Sequence, residues 1–200
     1  MTTTTTTRER PATPPIDPLA EAIGDVEGLP EAATEVAIEQ TVKTKELVII
    51  NWSGDLDKVW PVLILSSTAA ASGMRCKVFV TFWGLLPFDK DQKRIVGDNW
   101  MQKMLTMMQR PGIDHLKLSK MNFLGMGPWM MGSLRKKYNV ASPRELLEAA
   151  TALGVEFIPC QMTMDMFGLK RADLIDEMGE SAGAATAIEI MTEADASLFI

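Results

Sequence analysis

A single thiol follows a short apolar strand in the stretch Val155-Glu156-Phe157-Ile158-Pro159-Cys160-Gln161-Met162-Thr163-Met164-Asp165-Met166. The first half alternates apolar and β-favouring residues, which predicts a buried strand with Cys160 at its carboxyl end. Open α/β sheets place their sites at this end of their strands. A helix beginning at Gln161 to Thr163 would direct free N–H groups toward the sulfur and stabilise the thiolate. Cys160 is therefore the candidate reactive residue, although cysteine also serves as a small buried apolar residue.

The composition indicates one folded domain behind a polar N-terminal arm. The chain has 200 residues, of which 46% are hydrophobic. Residues 1–44 begin with six consecutive threonines and are poor in apolar side chains, so we predict a disordered arm with a short helix at residues 29–40. Residues 45–200 are long enough to bury one core, and we predict a single α/β domain there.

The charge and the cysteines restrict the function. The net charge of −6 and the lack of any block of Lys or Arg argue against nucleic acid as the partner, because phosphates attract clustered cations. Cys76 and Cys160 make neither a disulfide framework nor a metal-binding set, and no glycine-rich phosphate motif is present, so we predict no metal and no cofactor. With no signal peptide evident, we expect a reducing cytoplasm.

Two further strands precede the one that carries Cys160. Residues 46–52 form a continuous apolar run, which predicts a central parallel strand buried on both faces, followed by a helix at residues 56–73. Residues 77–83 predict the next strand, entered through Cys76. In a parallel sheet the two thiols then lie at opposite rims, which excludes a disulfide between them and indicates a structural role for Cys76.

The remaining pattern completes an α/β sandwich. Ser142-Pro143-Arg144-Glu145 carries a capping box that predicts a helix ending near Leu153. Further helices are predicted at residues 164–178 and 184–194, and a last strand at residues 197–200. We therefore predict a largely parallel twisted sheet of about five strands with helices on both faces, layered as in flavodoxin.

The middle of the chain is rich in methionine and tryptophan. It predicts a helix at residues 98–110 and an apolar stretch at residues 121–132 that is too short and too broken by glycine to span a bilayer. Such side chains suit a core, a subunit interface, a partner surface or a membrane surface. Their apolar area favours a homo-oligomer. The side chains that supply this area are Trp100, Met101, Met104, Met107, Met108, Trp129, Met130 and Met131.

From about Lys45 to Ile200 the chain resembles the DsrE/DsrF-like sulfurtransferases of the sulfur relay, in the larger DsrE-like branch whose members are often labelled peroxiredoxin-like. The most specific part of the resemblance is the stretch around Cys160. The resemblance is carried by Leu47-Val48-Ile49-Ile50, Phe82-Trp83-Gly84, Gly127-Pro128-Trp129-Met130-Met131, Pro159-Cys160-Gln161-Met162-Thr163-Met164-Asp165 and Leu198-Phe199-Ile200.

This resemblance implies a parallel sheet between helices, assembly into trimers or hexamers, and a cysteine that carries persulfide sulfur between proteins. Cys160 stands at the family's cysteine position. Relay sulfur carriers and rhodanese-like donors are the implied partners. A carrier thiolate needs access and a low pKa rather than an acid–base triad, which fits the lack of a well-placed base, since His115 is the only histidine.

Three functions stay open at this point. The first is a sulfur carrier, with sulfurtransferase-like exchange at Cys160. The second is a thiol peroxidase with one cysteine, for which Thr163 is the local candidate to bind peroxide. The third is a non-catalytic oligomer or membrane-surface adaptor that uses the Met/Trp-rich segment.

Overall fold

The structure of the protein, a computed structural model, describes residues 44–90, 99–108 and 111–200, without the side chains of residues 105–108. Residues 1–43 of the predicted arm, its helix at residues 29–40 and the predicted helix start at Asp98 lie outside these ranges. From Thr44 to Ile200 the chain forms one compact unit.

Four parallel strands form the sheet of the described residues. They are β1 (Glu46–Asn51), β2 (Arg75–Val80), β3 (Glu156–Pro159) and β4 (Ala196–Phe199), in the order β3-β2-β1-β4. β1 is buried along its whole length between two parallel neighbours, as its apolar run predicts. The sequence predicts about five strands, and the part of the chain that the structure describes contains four.

Helices cover both faces of this sheet, which confirms the predicted α/β class. α1 (Leu56–Ala71) and α4 (Pro143–Ala152) lie together on one face, and α6 (Ala184–Glu193) lies on the other. The remaining helices are α2 (Trp100–Met108), α3 (Met126–Lys137) and α5 (Gln161–Phe167), with 3-10 helices at Phe82–Phe88, Ile113–His115, Phe123–Gly125 and Arg171–Asp173.

The alternation of side chains along each strand builds two cores. Leu47 and Ile49 of β1 pack on the α1 side, whereas Val48 and Ile50 pack on the α6 side, because successive residues of a strand point to opposite faces. The α1 side holds the larger core, and Cys76 belongs to it. Cys160 belongs to the smaller core under α6.

The end of β2 differs from the sequence prediction. The strand was expected at residues 77–83, but it ends at Val80, and the chain turns at Phe82 (φ 51°) into the 3-10 helix Phe82–Phe88. Gly84 makes this turn possible, since a Cβ there would lie 2.5 Å from the carbonyl oxygen of Asn51. The end of β2 lies directly beside the end of β3, where Val80 pairs with Pro159.

The helix after Cys160 also differs. The prediction of a helix at residues 164–178 is wrong: α5 begins at Gln161 and ends at Phe167, where Gly168 adopts the left-handed conformation (φ 70°). The capping box at Ser142 is confirmed, with Glu145 N–H donating to the Ser142 hydroxyl and Ser142 N–H donating to the Glu145 carboxylate. The last helix and the last strand lie within one residue of their predicted starts and ends.

Candidate functional site

Cys160 stands where β3 becomes α5. It follows Pro159, the last residue of β3, and is the N-cap residue of the helix. Its backbone N–H donates to the carbonyl oxygen of Val80 at 2.9 Å, which places it beside Thr81 at the carboxyl end of β2. The predicted position at the carboxyl rim of the sheet is therefore confirmed.

The second cysteine lies at the opposite rim. Cys76 is the second residue of β2, and the register pairs Val80 with Pro159. The two cysteines are thus about five residues apart along the strands, or ~16 Å, which exceeds the reach of a disulfide. Both thiols are free.

Two threonine hydroxyls face the Cys160 sulfur from two different elements. Thr81 follows β2, and Thr163 lies in the first turn of α5; their hydroxyl oxygens are 3.1 Å apart. The Phe82 N–H donates to the Thr163 hydroxyl oxygen at 3.0 Å, so Thr163 keeps its own proton available for donation. Both hydroxyls and the N–H groups of Met162 and Thr163 lie near the Cys160 sulfur and favour its thiolate. Because one hydroxyl donates to the other, at most one hydroxyl proton is directed at the sulfur at a time.

These donors lower the pKa of the Cys160 thiol. Burial raises the pKa of the Cys160 thiol, but the hydrogen bonds from Thr81 and Thr163 and from the Met162 and Thr163 amides outweigh it. The net result is a pKa below the ordinary cysteine value. The direction agrees with the prediction made from a helix start after Cys160, and the two hydroxyls add to it.

Cys76 shows the opposite behaviour. Burial, with a further contribution from the negative charge of Glu46, raises the pKa of Cys76 to about 11. Glu46 is itself buried and pairs with Arg75 at 2.7 Å and Lys77 at 2.8 Å. Cys76 therefore stays a neutral thiol near pH 7, which agrees with its predicted structural role.

An aromatic cluster holds the two threonines together. Trp83 stacks on Phe167 of α5 with ring centroids 5.2 Å apart, and Phe82 contacts both rings edge-on at 5.4 and 6.0 Å. The cluster joins the turn after β2 to the end of α5. It thereby fixes Thr81 relative to Thr163, because each threonine belongs to one of the two joined elements.

The residues that follow the thiol are exposed, although Cys160 itself is only 3% exposed. The next residues, Gln161 and Met162, are exposed, and so is Met166 one turn further along. α2 approaches the same helix, since the Gln102 side-chain amide donates to the carbonyl oxygen of Met166 at 3.1 Å. The sulfur thus lies at the carboxyl rim next to exposed side chains.

Sequence reasoning identified Cys160 and Thr163 but missed Thr81. The available signal was a threonine at the carboxyl end of the strand expected beside the Cys160 strand. His115 lies in the 3-10 helix Ile113–His115, which packs against α4. Among residues 44–90, 99–108 and 111–200, no group of three His, Cys, Asp or Glu side chains is arranged to hold a metal ion. No helix of the described residues has the length and apolar character needed to cross a bilayer.

Two solved structures share features of this fold. The ychN protein of E. coli has a TM-score of 0.48 with 14% identity, over 78% of this chain and 99% of that one. Protein MTH1491 of Methanobacterium thermoautotrophicum, described as of unknown function, has a TM-score of 0.45 with 14% identity and the same coverage.

Sequence relatives are much closer. The chain is 38% identical over 162 residues to the sulfur carrier protein DsrE2 of Allochromatium vinosum, which covers 80% of this chain and 100% of the relative. It is 38% identical over 160 residues to the uncharacterized protein YrkE of Bacillus subtilis, covering 80% and 99%. The sequence profile of the DsrE/DsrF/DrsH-like family matches residues 43–199, almost the whole described part. The chain therefore belongs to the DsrE/DsrF/DrsH-like family.

Proposed function

We propose that this protein is a sulfur carrier that holds sulfane sulfur as a persulfide on Cys160 and exchanges it with thiols of partner proteins. The observation that carries the proposal is the group of hydroxyl and amide N–H groups of Thr81, Met162 and Thr163 around the Cys160 sulfur, which lowers its pKa in spite of burial. The family membership and the name of the DsrE2 relative support a role in sulfur trafficking.

The transfer needs only two thiol exchanges. In the first, the Cys160 thiolate attacks the outer sulfur of a donor persulfide, the donor S–S bond breaks, and the donor leaves as a thiolate. In the second, an acceptor thiolate attacks the outer sulfur now on Cys160, and Cys160 leaves as a thiolate. No oxidant or reductant is consumed, because one S–S bond forms for each one that breaks.

The same donors assist both exchanges. A low pKa gives Cys160 a larger thiolate fraction for the attack on the donor. It also makes Cys160 a better leaving group when the acceptor attacks, since thiols of lower pKa leave faster. Thr81 and Thr163 would therefore stabilise the charged sulfur at the start of loading and at the end of unloading.

The burial of Cys160 suits a carrier that presents only its outer sulfur. A persulfide extends the side chain by the length of one S–S bond, about 2.05 Å. Because Gln161 and Met162 next to it are exposed, this extension would bring the outer sulfur toward the surface. The inner sulfur stays within reach of its hydrogen-bond donors.

The proposed setting is a reducing cytoplasm with relay sulfur carriers and rhodanese-like proteins as partners. We also propose that the protein is a homo-oligomer, a trimer or a hexamer. Exposed apolar side chains on α2 and on the α6–β4 edge support this assembly: Trp100, Met101, Met104, Ile188, Leu198 and Phe199. Light scattering of the full chain should give several times the mass of one chain, and a monomer would contradict the assembly.

Mass spectrometry of the protein and of its peptides tests the carrier function directly. After incubation with polysulfide and removal of the excess reagent, we expect sulfur additions on the Cys160 peptide. The additions should disappear in Cys160→Ser and persist in Cys76→Ala. Equal loading of both cysteines, or no loading, would contradict the proposal.

A parallel incubation with hydrogen peroxide separates the carrier from the thiol peroxidase that uses the same cysteine. A carrier takes up sulfur from polysulfide or thiosulfate at concentrations at which peroxide leaves Cys160 largely unmodified. Rapid formation of a sulfenic acid on Cys160, without any sulfur loading, would favour the peroxidase instead.

A further inference from the structure

A long part of this acidic chain carries positive charges only. From His115 to Arg144 there is no Asp or Glu, in a protein whose net charge is −6. The basic residues in this segment are Lys117, Lys120, Arg135, Lys136, Lys137 and Arg144. Arg135 pairs with Glu145 and Arg144 pairs with Asp114, and both carboxylates lie outside the segment.

The same segment presents an apolar tip, residues 121–130. Leu124 is fully exposed at its end, with Phe123 and Met126 largely exposed beside it, and Trp129 is 72% exposed on the first turns of α3. Exposure of these apolar side chains to water is unfavourable. The tip therefore presents a contiguous run of apolar side chains for contact with something other than solvent.

The backbone of the 121–130 tip is built to hold this shape. Phe123 and Leu124 both adopt positive φ angles, 36° and 55°, which non-glycine residues seldom do. The carbonyl oxygen of Asn122 accepts from Gly125 N–H at 2.8 Å and from Gly127 N–H at 3.3 Å, closing the turn onto α3. A Cβ at Gly127 would overlap the carbonyl oxygen of Met121, so only glycine fits there.

Its base is fastened to the start of α1. Asp57 accepts from the backbone N–H of Ser119 at 2.8 Å and also from the Ser119 hydroxyl, and Leu56 N–H donates to the carbonyl oxygen of Lys117 at 2.7 Å. A tip that is fixed at its base and apolar at its end loses little conformational entropy on docking.

We propose that the 121–130 tip docks on the surface of an anionic lipid bilayer. Phe123, Leu124 and Trp129 would enter the interface between headgroups and acyl chains, where aromatic and apolar side chains are favoured. The exposed ammonium groups of Lys120, Lys136 and Lys137 lie in the segments on either side of the tip and would contact anionic headgroups. The positive charge of these lysines therefore favours anionic lipids over neutral ones.

A second copy of this chain fits the 121–130 tip less well. A two-fold contact of tip on tip would place the lysines of one copy against the lysines of the other. The α6–β4 edge, in contrast, lies along an outer strand of the sheet and exposes Leu198 and Phe199 on it. Self-association is therefore better served by that edge than by the tip.

Docking would also orient the thiol. The tip borders a cavity of about 560 Å³ whose walls include Trp52 and Ser53, which directly follow β1, together with Met121 and Met130. The tip thus lies at the carboxyl rim of the sheet, the rim that carries Cys160. A bilayer bound by the tip would face this rim, and sulfur exchange would take place close to the membrane surface.

Vesicle co-sedimentation of the full chain tests the proposal. We expect binding to vesicles of phosphatidylcholine with 30% phosphatidylserine, weak binding to phosphatidylcholine alone, and weaker binding as salt rises, because exposed charges are screened over about 10 Å at 0.1 M salt. Lys136→Gln/Lys137→Gln should weaken binding about 30-fold, since each lysine near such a surface contributes about fivefold. Leu124→Asn/Trp129→Gln should abolish it.

Matched controls isolate the tip from general charge and general hydrophobicity. Lys45→Gln/Lys170→Gln removes the same net charge from exposed lysines elsewhere, and Leu65→Gln/Leu153→Gln removes exposed leucines from α1 and the end of α4. Both controls should bind as the wild type does. Quenching of tryptophan fluorescence by brominated acyl chains should fall in Trp129→Phe.

Two outcomes would overturn the assignment. One is a lack of wild-type binding to anionic vesicles at low salt. The other is a wild type that is oligomeric and does not bind vesicles, together with a Leu124→Asn/Trp129→Gln variant that is monomeric. That result would make the tip an interface between copies. Sulfur loading of Cys160 in solution does not depend on the tip, so the carrier function stands or fails separately.

Discussion

The two cysteines are equally buried, and yet their pKa values depart from the ordinary value in opposite directions. Cys160 and Cys76 are each 3% exposed. Amide and hydroxyl groups of Thr81, Met162 and Thr163 lie around the Cys160 sulfur, and its pKa falls below the ordinary value. Cys76 has burial and the nearby charge of Glu46, and its pKa rises to about 11. Burial therefore does not decide the reactivity of a thiol in this fold; the hydrogen-bond donors at the carboxyl rim do.

The two rims of a parallel sheet differ in the hydrogen-bond donors that they offer to a thiol. At the carboxyl rim each strand runs into a turn or a helix start, where N–H groups are still unpaired and side chains from neighbouring connections converge. Cys76 lies inside the hydrogen-bonded ladder of β2, whose amides are already used by the neighbouring strands. The contrast between the cysteines thus follows from their positions in the sheet.

The largest expected effect is a difference in alkylation. At pH 7 the Cys76 pKa of about 11 leaves about 300-fold less thiolate than the ordinary cysteine value of about 8.5, and the lower nucleophilicity of a more acidic thiol offsets about tenfold of this difference. Because the pKa of Cys160 lies below the ordinary value, iodoacetamide should modify Cys160 at least about 30-fold faster than Cys76 in the folded protein. Peptide mass spectrometry over a time course measures both rates in one sample. Equal rates would remove the basis of the comparison.

Serine substitutions should separate the two sites by stability. In Cys160→Ser the new hydroxyl accepts from the donors that now face the sulfur. In Cys76→Ser it is buried among apolar side chains, and an unsatisfied buried hydroxyl costs about 1–3 kcal/mol. The free energy of unfolding in urea should therefore fall by about 1–2 kcal/mol more in Cys76→Ser.

The alanine variants serve as controls for that pair. Cys76→Ala and Cys160→Ala remove similar volume and introduce no polar group, so their unfolding free energies should lie within about 0.5 kcal/mol of each other. A serine difference no larger than the alanine difference would show that Cys76 has donors of its own.

A third test uses alkaline pH. The pKa of Cys76 is about 11 in the folded protein and about 8.5 when unfolded, so from pH 8.5 upward the unfolded chain loses a proton that the folded chain keeps. Stability contributed by the neutral thiol is thus lost as pH rises, by about 1 kcal/mol at pH 9.5 after allowance for solvent screening. Cys76→Ala should abolish this part of the decline in urea unfolding.

Cys160 should act in the opposite direction in the same measurement. Its folded pKa is lowered, so its contribution is fully present above the unfolded pKa of about 8.5 and is lost as pH falls through the folded value. Cys160→Ala should therefore remove a rise in stability below pH 8.5 and leave the slope of the decline above pH 8.5 unchanged. Superimposable pH profiles for the two alanine variants would contradict both assignments.

The sequence predicted most of the fold because its strands are marked by composition. Most positions in the run at residues 46–52 are apolar. A strand covered on both faces requires such a run, and β1 is covered on both faces. The capping box at Ser142 marks the start of α4 by chemistry that acts within four residues. Local signals of this kind do not depend on the rest of the chain.

The errors arose where distant contacts decide. Phe82 and Trp83 have strong β propensity, but Gly84 approaches Asn51 so closely that the chain leaves the sheet before them. The apolar pattern at residues 164–178 resembles a helix, but Gly168 ends α5 and Leu169 to Met178 pack into the core as loop and 3-10 helix. Thr81 was missed for the same reason, since its contact with Thr163 joins residues 82 positions apart.

The smallest expected effect concerns Thr81 itself. Its hydroxyl stands first among the donors that lower the pKa of Cys160, and a hydrogen bond to a charged group contributes about 1.5–3 kcal/mol. Thr81→Val should raise the pKa of Cys160, because the thiolate loses a hydroxyl that stabilises it over the thiol. The alkylation rate at pH 7 should then fall about threefold, as the higher nucleophilicity offsets part of the lost thiolate.

Thr81→Ser and Thr163→Val give this prediction its controls. Thr81→Ser keeps the hydroxyl and should leave the alkylation midpoint unchanged. Thr163→Val should raise the pKa of Cys160 too, but it also leaves the Phe82 N–H without its acceptor, so it should lower the free energy of unfolding by about 1–3 kcal/mol. Thr81 is half-buried and its loss should cost less. An alkylation midpoint that stays the same in Thr81→Val would mean that the α5 amides and Thr163 hold the thiolate by themselves.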